Sequence, residues 1–153
     1  MVKSVKVDEA VQLVDLYEKE RQGHLDNVSV RIQLALKRNM RTIRNMANDF
    51  FELRDELEKP LNEKYFTDER SVEVVDENGE TTGRSVKPEF MDDFKKEWTV
   101  LNEKLKAALA NSDDLELTAI DVDAEATRLD EKGLTLSNGA LELLCFFEGG
   151  TDE

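Results

Sequence analysis

The chain lacks most of the features that mark secreted, membrane-spanning or disulfide-stabilised proteins. Its 153 residues include one cysteine, one histidine and two prolines. A lone cysteine excludes an intramolecular disulfide, so a reducing, intracellular setting is the expectation. No apolar run approaches the ~20 residues of a membrane span, and the first residues lack the uninterrupted apolar core of a signal peptide. We therefore expect a protein that stays in the compartment where it is made.

Helix breakers are also scarce, and this scarcity favours long helices. Seven glycines and two prolines are set against 39% hydrophobic and 37% charged residues. Glu, Lys, Leu and Arg are abundant, and all four are good helix formers. A chain of this length suits one domain with a modest core, which needs no metal or disulfide to fold.

Carboxylates are missing from one early segment, although the whole chain has a formal charge of -14. Residues 28–48 contain no Asp or Glu, whereas residues 111–153 hold 12 acidic and two basic residues. The cations of the early segment are Arg31, Lys37, Arg38, Arg41 and Arg44. On a helix, Lys37, Arg41 and Arg44 share a face opposite an apolar stripe. The segment therefore predicts a basic contact face.

We expect this basic contact face to bind protein rather than nucleic acid. Without the five cations the charge of the chain is -19, and its long-range repulsion opposes the approach of a polyanion. The cations can pair with acidic residues at 111–131 of the same chain and so fix how the C-terminal part docks. Alternatively, they pair across a subunit contact.

Apolar periodicity predicts two helices in the first half of the chain. Residues 8–21 form the first, with Asp8 as its N-cap. Residues 29–59 form a second, long helix, which Pro60 is expected to end or kink because proline removes a backbone donor. The apolar stripe of the second helix is Ile32, Leu36, Met40 and Ile43.

The middle of the chain predicts a β-hairpin followed by another long helix. Residues 71–86 place the turn signal Asn78-Gly79 between β-branched stretches, although a disordered acidic loop is the alternative. Pro88 suits the first turn of a helix. The heptad-spaced seam of this helix is Met91, Phe94, Trp98, Leu101 and Leu105. Together these elements predict an antiparallel helical hairpin with a coiled-coil-like stem and a β-hairpin tip.

The last third leaves the helical period and then returns to it. Residues 111–129 alternate apolar and polar side chains, which predicts one or two short strands. Residues 137–148 form a helix that begins at Ser137 and is apolar on all sides. Its candidate interface residues are Leu141, Leu144, Phe146 and Phe147. Gly149-Gly150 ends the helix and a short acidic tail follows.

The expected fold is mainly α with a minor β part. Residues 1–110 form the helical hairpin domain with its N-terminal helix, and residues 111–153 form a small acidic strand–helix segment packed on it. The two parts make a single domain overall.

The sequence gives little indication of catalysis. His24 is the only histidine and is expected in an exposed linker, while Cys145 sits in an apolar run and is expected to be packed and inert. Asp121, Asp123 and Glu125 offer oxygen ligands of the kind that suits Mg²⁺ or Ca²⁺. On a strand, however, alternation would place all three on one solvated side. We predict neither an enzyme nor a cofactor.

The order of elements resembles small acidic proteins of tailed phages and prophages, which belong to families of unknown function. The residues that carry the resemblance are Val30, Arg31, Ile32, Ala35, Lys37, Arg38, Asn39, Phe51, Glu52, Arg54, Asp55, Leu57, Asp76, Glu77, Asn78, Gly79, Leu115, Glu116 and Leu117. The resemblance covers most of the chain and implies a phage or prophage origin. It transfers no catalytic residue and no activity.

Two functional hypotheses follow. The first is a non-enzymatic phage protein that acts through protein–protein contacts, as a homo-oligomeric accessory, assembly or structural component. It would reside in the cytoplasm of the host cell or on the virion. The second is an acidic inhibitor or modulator of a host enzyme or defence system, whose carboxylates mimic nucleic-acid phosphates.

Overall fold

The computed structural model describes residues 1–149, which are mainly helical with two small antiparallel sheets of two strands each. The order along the chain is β1 (Val2–Lys6), α1 (Val7–Glu20), α2 (Val30–Tyr65), β2 (Ser71–Val75), β3 (Thr81–Val86), α3 (Pro88–Ala110), β4 (Ser112–Glu116), α4 (Val122–Glu131) and α5 (Asn138–Phe146). Among the described residues, no helix combines the length and the apolar character needed to cross a membrane.

The chain divides into two compact units, one built from residues 1–49 and 110–149 and the other from residues 50–109. This division differs from the predicted one near residue 111. The reason is a sheet that joins the two ends of the chain, in which β1 and β4 pair antiparallel from Val2↔Glu116 to Lys6↔Ser112. Strand β1 is not among the predicted elements.

The first unit has its core among α1, the first half of α2, α4 and α5. The stripe predicted on α2 lies in this core, since Leu36, Met40 and Ile43 are buried. Phe147 and Leu144 are buried in the same unit. Helix α1 follows directly on β1, so its N-cap is Lys6 and not Asp8 as predicted. The carboxylate of Glu9, in the first turn of α1, accepts a hydrogen bond from the Lys6 backbone N–H at 3.0 Å and so helps to cap the start of the helix.

A buried asparagine ties α2 to the segment after β4. Asn39 donates its Nδ2 to the Thr118 carbonyl at 2.9 Å, and its Oδ1 accepts from the Thr118 N–H at 2.7 Å. The backbone N–H and C=O of Thr118 are thus both paired by one buried side chain, which fixes the path of the backbone there.

The second unit packs the last part of α2, α3 and the hairpin around one apolar cluster. Its buried members are Leu61, Tyr65, Val86 and Leu101, and its half-buried members are Leu57, Phe66, Phe90, Met91, Phe94, Trp98 and Leu105. All five residues of the predicted seam therefore belong to this cluster. Phe94 contacts Tyr65 edge-on at 5.2 Å between ring centroids and stacks on Trp98 at 5.8 Å.

Pro60 was predicted to end or kink α2. The prediction that the helix ends there is wrong, because α2 continues to Tyr65. The missing backbone donor costs one helical hydrogen bond, to the Glu56 carbonyl. Both Pro60 and Glu56 are exposed, so water can satisfy that carbonyl. Leu61 and Tyr65, which follow the proline, are buried in the cluster. Their apolar contacts offset the lost hydrogen bond.

The hairpin at residues 71–86 is formed as predicted, from β2 and β3, and is not a disordered loop. Its turn is held by Asp76, whose Oδ1 accepts from the Asn78 and Glu80 N–H groups at 2.9 Å each. Gly79 has φ of +81°, a left-handed conformation that glycine adopts without steric cost.

The region after α3 contains one strand, β4, and then a helix where a second strand was predicted. Ile120 makes only an isolated parallel bridge to Glu148. Asp121 then caps α4, because its Oδ1 accepts from the Ala124 N–H at 3.0 Å. The predicted cap of α5 is confirmed, since Ser137 Oγ accepts from the Ala140 N–H at 3.1 Å. Gly150 and the acidic tail lie outside the described residues.

Candidate protein-binding surface

The exposed face of α2 in the first unit combines cations with apolar side chains. Arg31, Lys37, Arg38 and Arg41 are all exposed. Between them, at helical spacing, lie Val30, which is 71% exposed, and Leu34, which is 49% exposed. We call the set Val30, Arg31, Leu34, Lys37, Arg38 and Arg41 the basic ridge. It faces away from the core stripe of the same helix, as the predicted basic contact face does.

The basic ridge is not neutralised by the acidic residues of the described chain. Arg44, at the edge of the ridge, forms an ion pair with Glu18 of α1. Within residues 1–149, no carboxylate lies within ion-pair distance of Arg31, Lys37, Arg38 or Arg41. The prediction that these cations dock the acidic segment 111–131 of the same chain is therefore wrong. The alternative, a contact with another molecule, stays a prediction.

A shallow groove between α1 and α2 continues the cationic surface beside the basic ridge. It has a volume of about 340 Å³. Its lining residues are Tyr17, Arg21, Lys37, Met40, Arg41, Arg44, Asn45 and Asn48. Glu18 neutralises part of this charge, because it pairs with both Arg21 and Arg44. The positive charge that remains thus lies on Lys37 and Arg41, at the side of the groove that belongs to the ridge.

The candidate interface on α5 is largely an internal surface. Leu144 and Phe147 are fully buried within the chain, so neither is available to a second molecule. Phe146 is half-buried, and Lys3 Nζ lies 3.8 Å from its ring centroid while donating to its carbonyl at 2.6 Å. Of the four candidates, only Leu141 is exposed. The apolar character of this helix reflects the core of the first unit, and the prediction of an interface there is wrong for Leu144 and Phe147.

The cysteine and the histidine, which are the reactive side chains of the sequence analysis, both lie at the surface. Cys145 is exposed, so the prediction of a packed thiol is wrong. His24 is half-exposed, as predicted for a linker, but it also contacts a buried carboxylate: its Nδ1 lies 2.6 Å from Glu20 Oε2.

The described residues contain no cluster of three or more His, Cys, Asp or Glu side chains placed to hold a metal ion. The helix that replaces the expected strand gives the three predicted ligands different surroundings: Asp121 caps α4, Asp123 is exposed, and Glu125 is buried and paired with Arg128.

Glu125 and Glu20 are the two buried carboxylates of residues 1–149, and both have structural partners. Glu125 accepts from the Ser29 N–H at 2.9 Å and from Arg128 Nη2 at 2.6 Å. Burial acts to raise the pKa of Glu125, but these hydrogen bonds outweigh burial and lower it. Glu20 accepts from Ser137 Oγ at 2.9 Å, and this hydrogen bond lowers the pKa of Glu20. Sequence reasoning considered Glu125 only as a possible cation ligand and did not consider Glu20, because Ser29 and Ser137, which donate to them, are distant in the chain.

Strand β2 of the hairpin in the second unit presents its valines to solvent. Val72 is 49% exposed and Val74 42% exposed, and they lie on one side of β2 opposite Ser85 and Gly83 of β3. We call these four residues the valine face. The other side of the hairpin carries the polar Ser71 and Arg84 toward the rest of the unit, with Arg84 Nε donating to Ser71 Oγ at 2.7 Å. This arrangement inverts the usual one, in which a strand buries its valines.

The chain was compared with protein-family models, with curated proteins and with solved structures. No family model matches the chain, and neither the curated proteins nor the solved structures searched gave a match. The basic ridge and the valine face therefore rest on the residues and geometry of this chain alone.

Proposed function

We propose that this chain is a non-enzymatic protein that acts through protein–protein contacts and assembles with itself. The observation that carries the proposal is the basic ridge. It places four cations, none paired within the described chain, around two exposed apolar side chains on one helix face of a protein of net charge -14. Apolar anchors surrounded by charge are the composition of a protein interface: the apolar part supplies affinity and the charges select the partner.

We further propose where the protein comes from and where it acts. The resemblance described above supports a phage or prophage protein that serves as an accessory, assembly or structural component. We place it in the cytoplasm of the host cell or on the virion. Its partner is another protein, a second copy above all, and no nucleic acid, membrane or cofactor enters the proposal.

We also propose that the second unit is an antiparallel helical hairpin with a coiled-coil-like stem. Its support is the shared cluster, in which the seam residues of α3 pack with Leu57, Leu61 and Tyr65 of α2. The spacing of the seam on α3 is that of a heptad repeat. An ion pair at the flank, with Lys64 Nζ 2.9 Å from Glu97 Oε1, resembles those that fix register between coiled-coil helices.

Light scattering on a sizing column, over a range of protein concentrations, tests the proposed self-association. We expect a defined oligomer that dissociates on dilution. A particle of 17.5 kDa at every concentration would be the monomer and would contradict the proposal.

A second candidate function, the acidic modulator, is favoured by a different surface. Asp113, Asp114 and Glu116 are exposed on β4, and no cation of the described part of the chain pairs with them. Exposed carboxylates of this kind can occupy the phosphate sites of a DNA-binding protein. A competition assay with labelled duplex DNA and a basic DNA-binding protein tests this function. Displacement of DNA by the wild type, lost in the triple variant Asp113→Asn, Asp114→Asn, Glu116→Gln, would support it.

A further inference from the structure

Two surfaces of this chain are exposed, partly apolar and opposite in charge. The basic ridge carries Val30 and Leu34 among four cations that no described carboxylate pairs. The valine face carries Val72 and Val74, and the turn beside it holds Asp76, Glu77 and Glu80, all exposed. We propose that the valine face of one copy docks on the basic ridge of a second copy. This inference rests on the proposed self-association and names the two surfaces that form the contact.

The orientation of the hairpin is the first reason. Its register is fixed by polar contacts on the inner side: Ser71 Oγ donates to the Thr67 carbonyl at 2.6 Å, and Arg84 Nη2 lies 3.0 Å from Asp68 Oδ1. Val86 on the same side is buried in the cluster. A register shift of one residue would turn the valines inward, so these contacts hold Val72 and Val74 in water. Exposed apolar surface maintained in this way is typical of a binding site.

The shape of the valine face is the second reason. Gly83 lies directly across from Val74 in the register, and a Cβ added at Gly83 would meet no atom within 4 Å. The side of Val74 toward β3 is therefore open. A side chain of leucine or valine size from another molecule can contact it there, and the basic ridge offers Leu34 and Val30.

Charge complementarity selects the second copy as the occupant. The hairpin 71–86 has four acidic residues and one basic residue, so two hairpins repel each other. The ridge segment 28–48 has five cations and no carboxylate, so two ridges repel as well. The exposed carboxylates of β4 and α4 match the ridge in charge, but they have no adjacent pair of exposed valines. The hairpin combines a negative net charge with two exposed valines on one side of a strand, and in both respects it matches the ridge.

Such a contact is heterologous, since it joins two different surfaces, and this gives a sharp test. A ridge variant, Arg38→Glu with Arg41→Glu, keeps an intact hairpin. A hairpin variant, Val72→Thr with Val74→Thr, keeps an intact ridge and β-branched strand residues. Each variant alone is expected to show a Kd for self-association raised about tenfold or more, because like charges or buried hydroxyls replace favourable contacts. An equimolar mixture is expected to form a 1:1 heterodimer, because one intact contact remains.

Matched controls separate this contact from general effects. Lys95→Glu with Lys104→Glu makes the same change in net charge at exposed lysines of α3 that no carboxylate pairs in the described chain. Val2→Thr with Val100→Thr changes two exposed valines outside both surfaces. Both controls are expected to keep the wild-type oligomer, and far-ultraviolet circular dichroism checks that every variant is folded.

The outcomes distinguish this inference from the proposed function. A wild-type oligomer that both surface variants leave unchanged, or a variant mixture that stays monomeric, overturns the hairpin–ridge contact and leaves self-association standing through another surface. A wild-type chain that is monomeric throughout overturns self-association and the contact together. Loss of the oligomer in both variants, with recovery of a heterodimer on mixing, supports the contact.

Discussion

Each of the two buried carboxylates of the described chain lies beside the start of a helix that is distant in sequence. Glu125 accepts from the N–H of Ser29, just before α2, and Glu20 accepts from Ser137, the N-cap of α5. A carboxylate at a helix N-terminus is stabilised by the free N–H groups and the helix dipole. Single side chains thus fix where these two helices begin relative to α4 and α1 within the first unit.

Stability is expected to fall in acid because of these carboxylates. The folded state lowers the pKa of Glu125 and of Glu20 below their ordinary value of 4.5. A depressed folded pKa contributes stability above the unfolded value, and this contribution is lost as pH falls through the folded value. Glu125→Gln is expected to cost about 1–3 kcal/mol at pH 7, because Arg128 loses its ion-pair partner. The cost should shrink below pH 4.5.

Urea denaturation of the wild type and Glu125→Gln, from about pH 7 to about pH 3, checks this expectation. Glu131→Gln is the matched control, because Glu131 is exposed at the end of the same helix. A difference in the free energy of unfolding between wild type and Glu125→Gln that stays constant with pH would show that the charge of Glu125 does not contribute.

Gly139 is required by the close approach of Glu20. A Cβ at residue 139 would overlap the carboxylate of Glu20, which is held in place by Ser137 and His24. Gly139→Ala is therefore expected to reduce the free energy of unfolding by about 1–3 kcal/mol through overpacking. Gly83→Ala is the control, since its Cβ would meet nothing within 4 Å. If the clash is the cause, adding Glu20→Ala to Gly139→Ala should cost less than the two single changes summed, as measured by thermal unfolding.

At the scale of elements, the sequence predicts what local periodicity determines. The stripe of α2 and the seam of α3 repeat over many turns, so both helices are evident from spacing alone. The hairpin is also local, because Asn78-Gly79 identifies its turn. In contrast, β1 pairs with a strand more than 100 residues away, and its five residues carry no signal for that partner. The alternation of Ile120 and Val122 indicated a strand, but Asp121 between them caps a helix.

The candidate site was predictable only in part, for the same physical reason. The exposed cations of the basic ridge follow from their position opposite the core stripe of α2. Whether they are paired depends on tertiary structure, as the ion pair of Arg44 with Glu18 shows. The apolar run of α5 has the same pattern for a core helix as for an interface helix, so Leu144 and Phe147 were assigned to the surface although they are buried.

Pro60 offers a test of how α2 is stabilised. Proline inside a helix costs about 3 kcal/mol relative to alanine, and its smaller unfolded-state entropy recovers about 0.4–1 kcal/mol. Pro60→Ala is therefore expected to raise the free energy of unfolding by about 2–2.6 kcal/mol. Pro88→Ala, at the first position of α3, is expected to be neutral or slightly destabilising, because proline suits that position. Equal effects of the two changes in urea denaturation would contradict this account.

At the scale of the whole molecule, self-association has to occur between chains of the same large charge. Two copies of net charge -14 repel at long range, while the proposed contact brings opposite charges together at short range. Salt screens interactions beyond the Debye length, about 10 Å at 0.1 M and 3 Å at 1 M. The general repulsion is thus screened at lower salt than the contact itself.

The affinity of self-association is therefore expected to pass through a maximum as salt is increased. At about 0.01 M salt the Debye length is near 30 Å and repulsion between whole chains weakens binding. Near 0.1 M this repulsion is reduced while the ridge and the turn carboxylates still attract, and near 1 M that attraction is lost as well. Sedimentation velocity over this range measures the Kd. The ridge variant Arg38→Glu with Arg41→Glu should lose the maximum and bind more tightly with every increase in salt, because only repulsion remains to be screened. A wild-type Kd that falls steadily up to about 1 M salt would instead identify a contact dominated by apolar burial, with no role for the cations of the basic ridge.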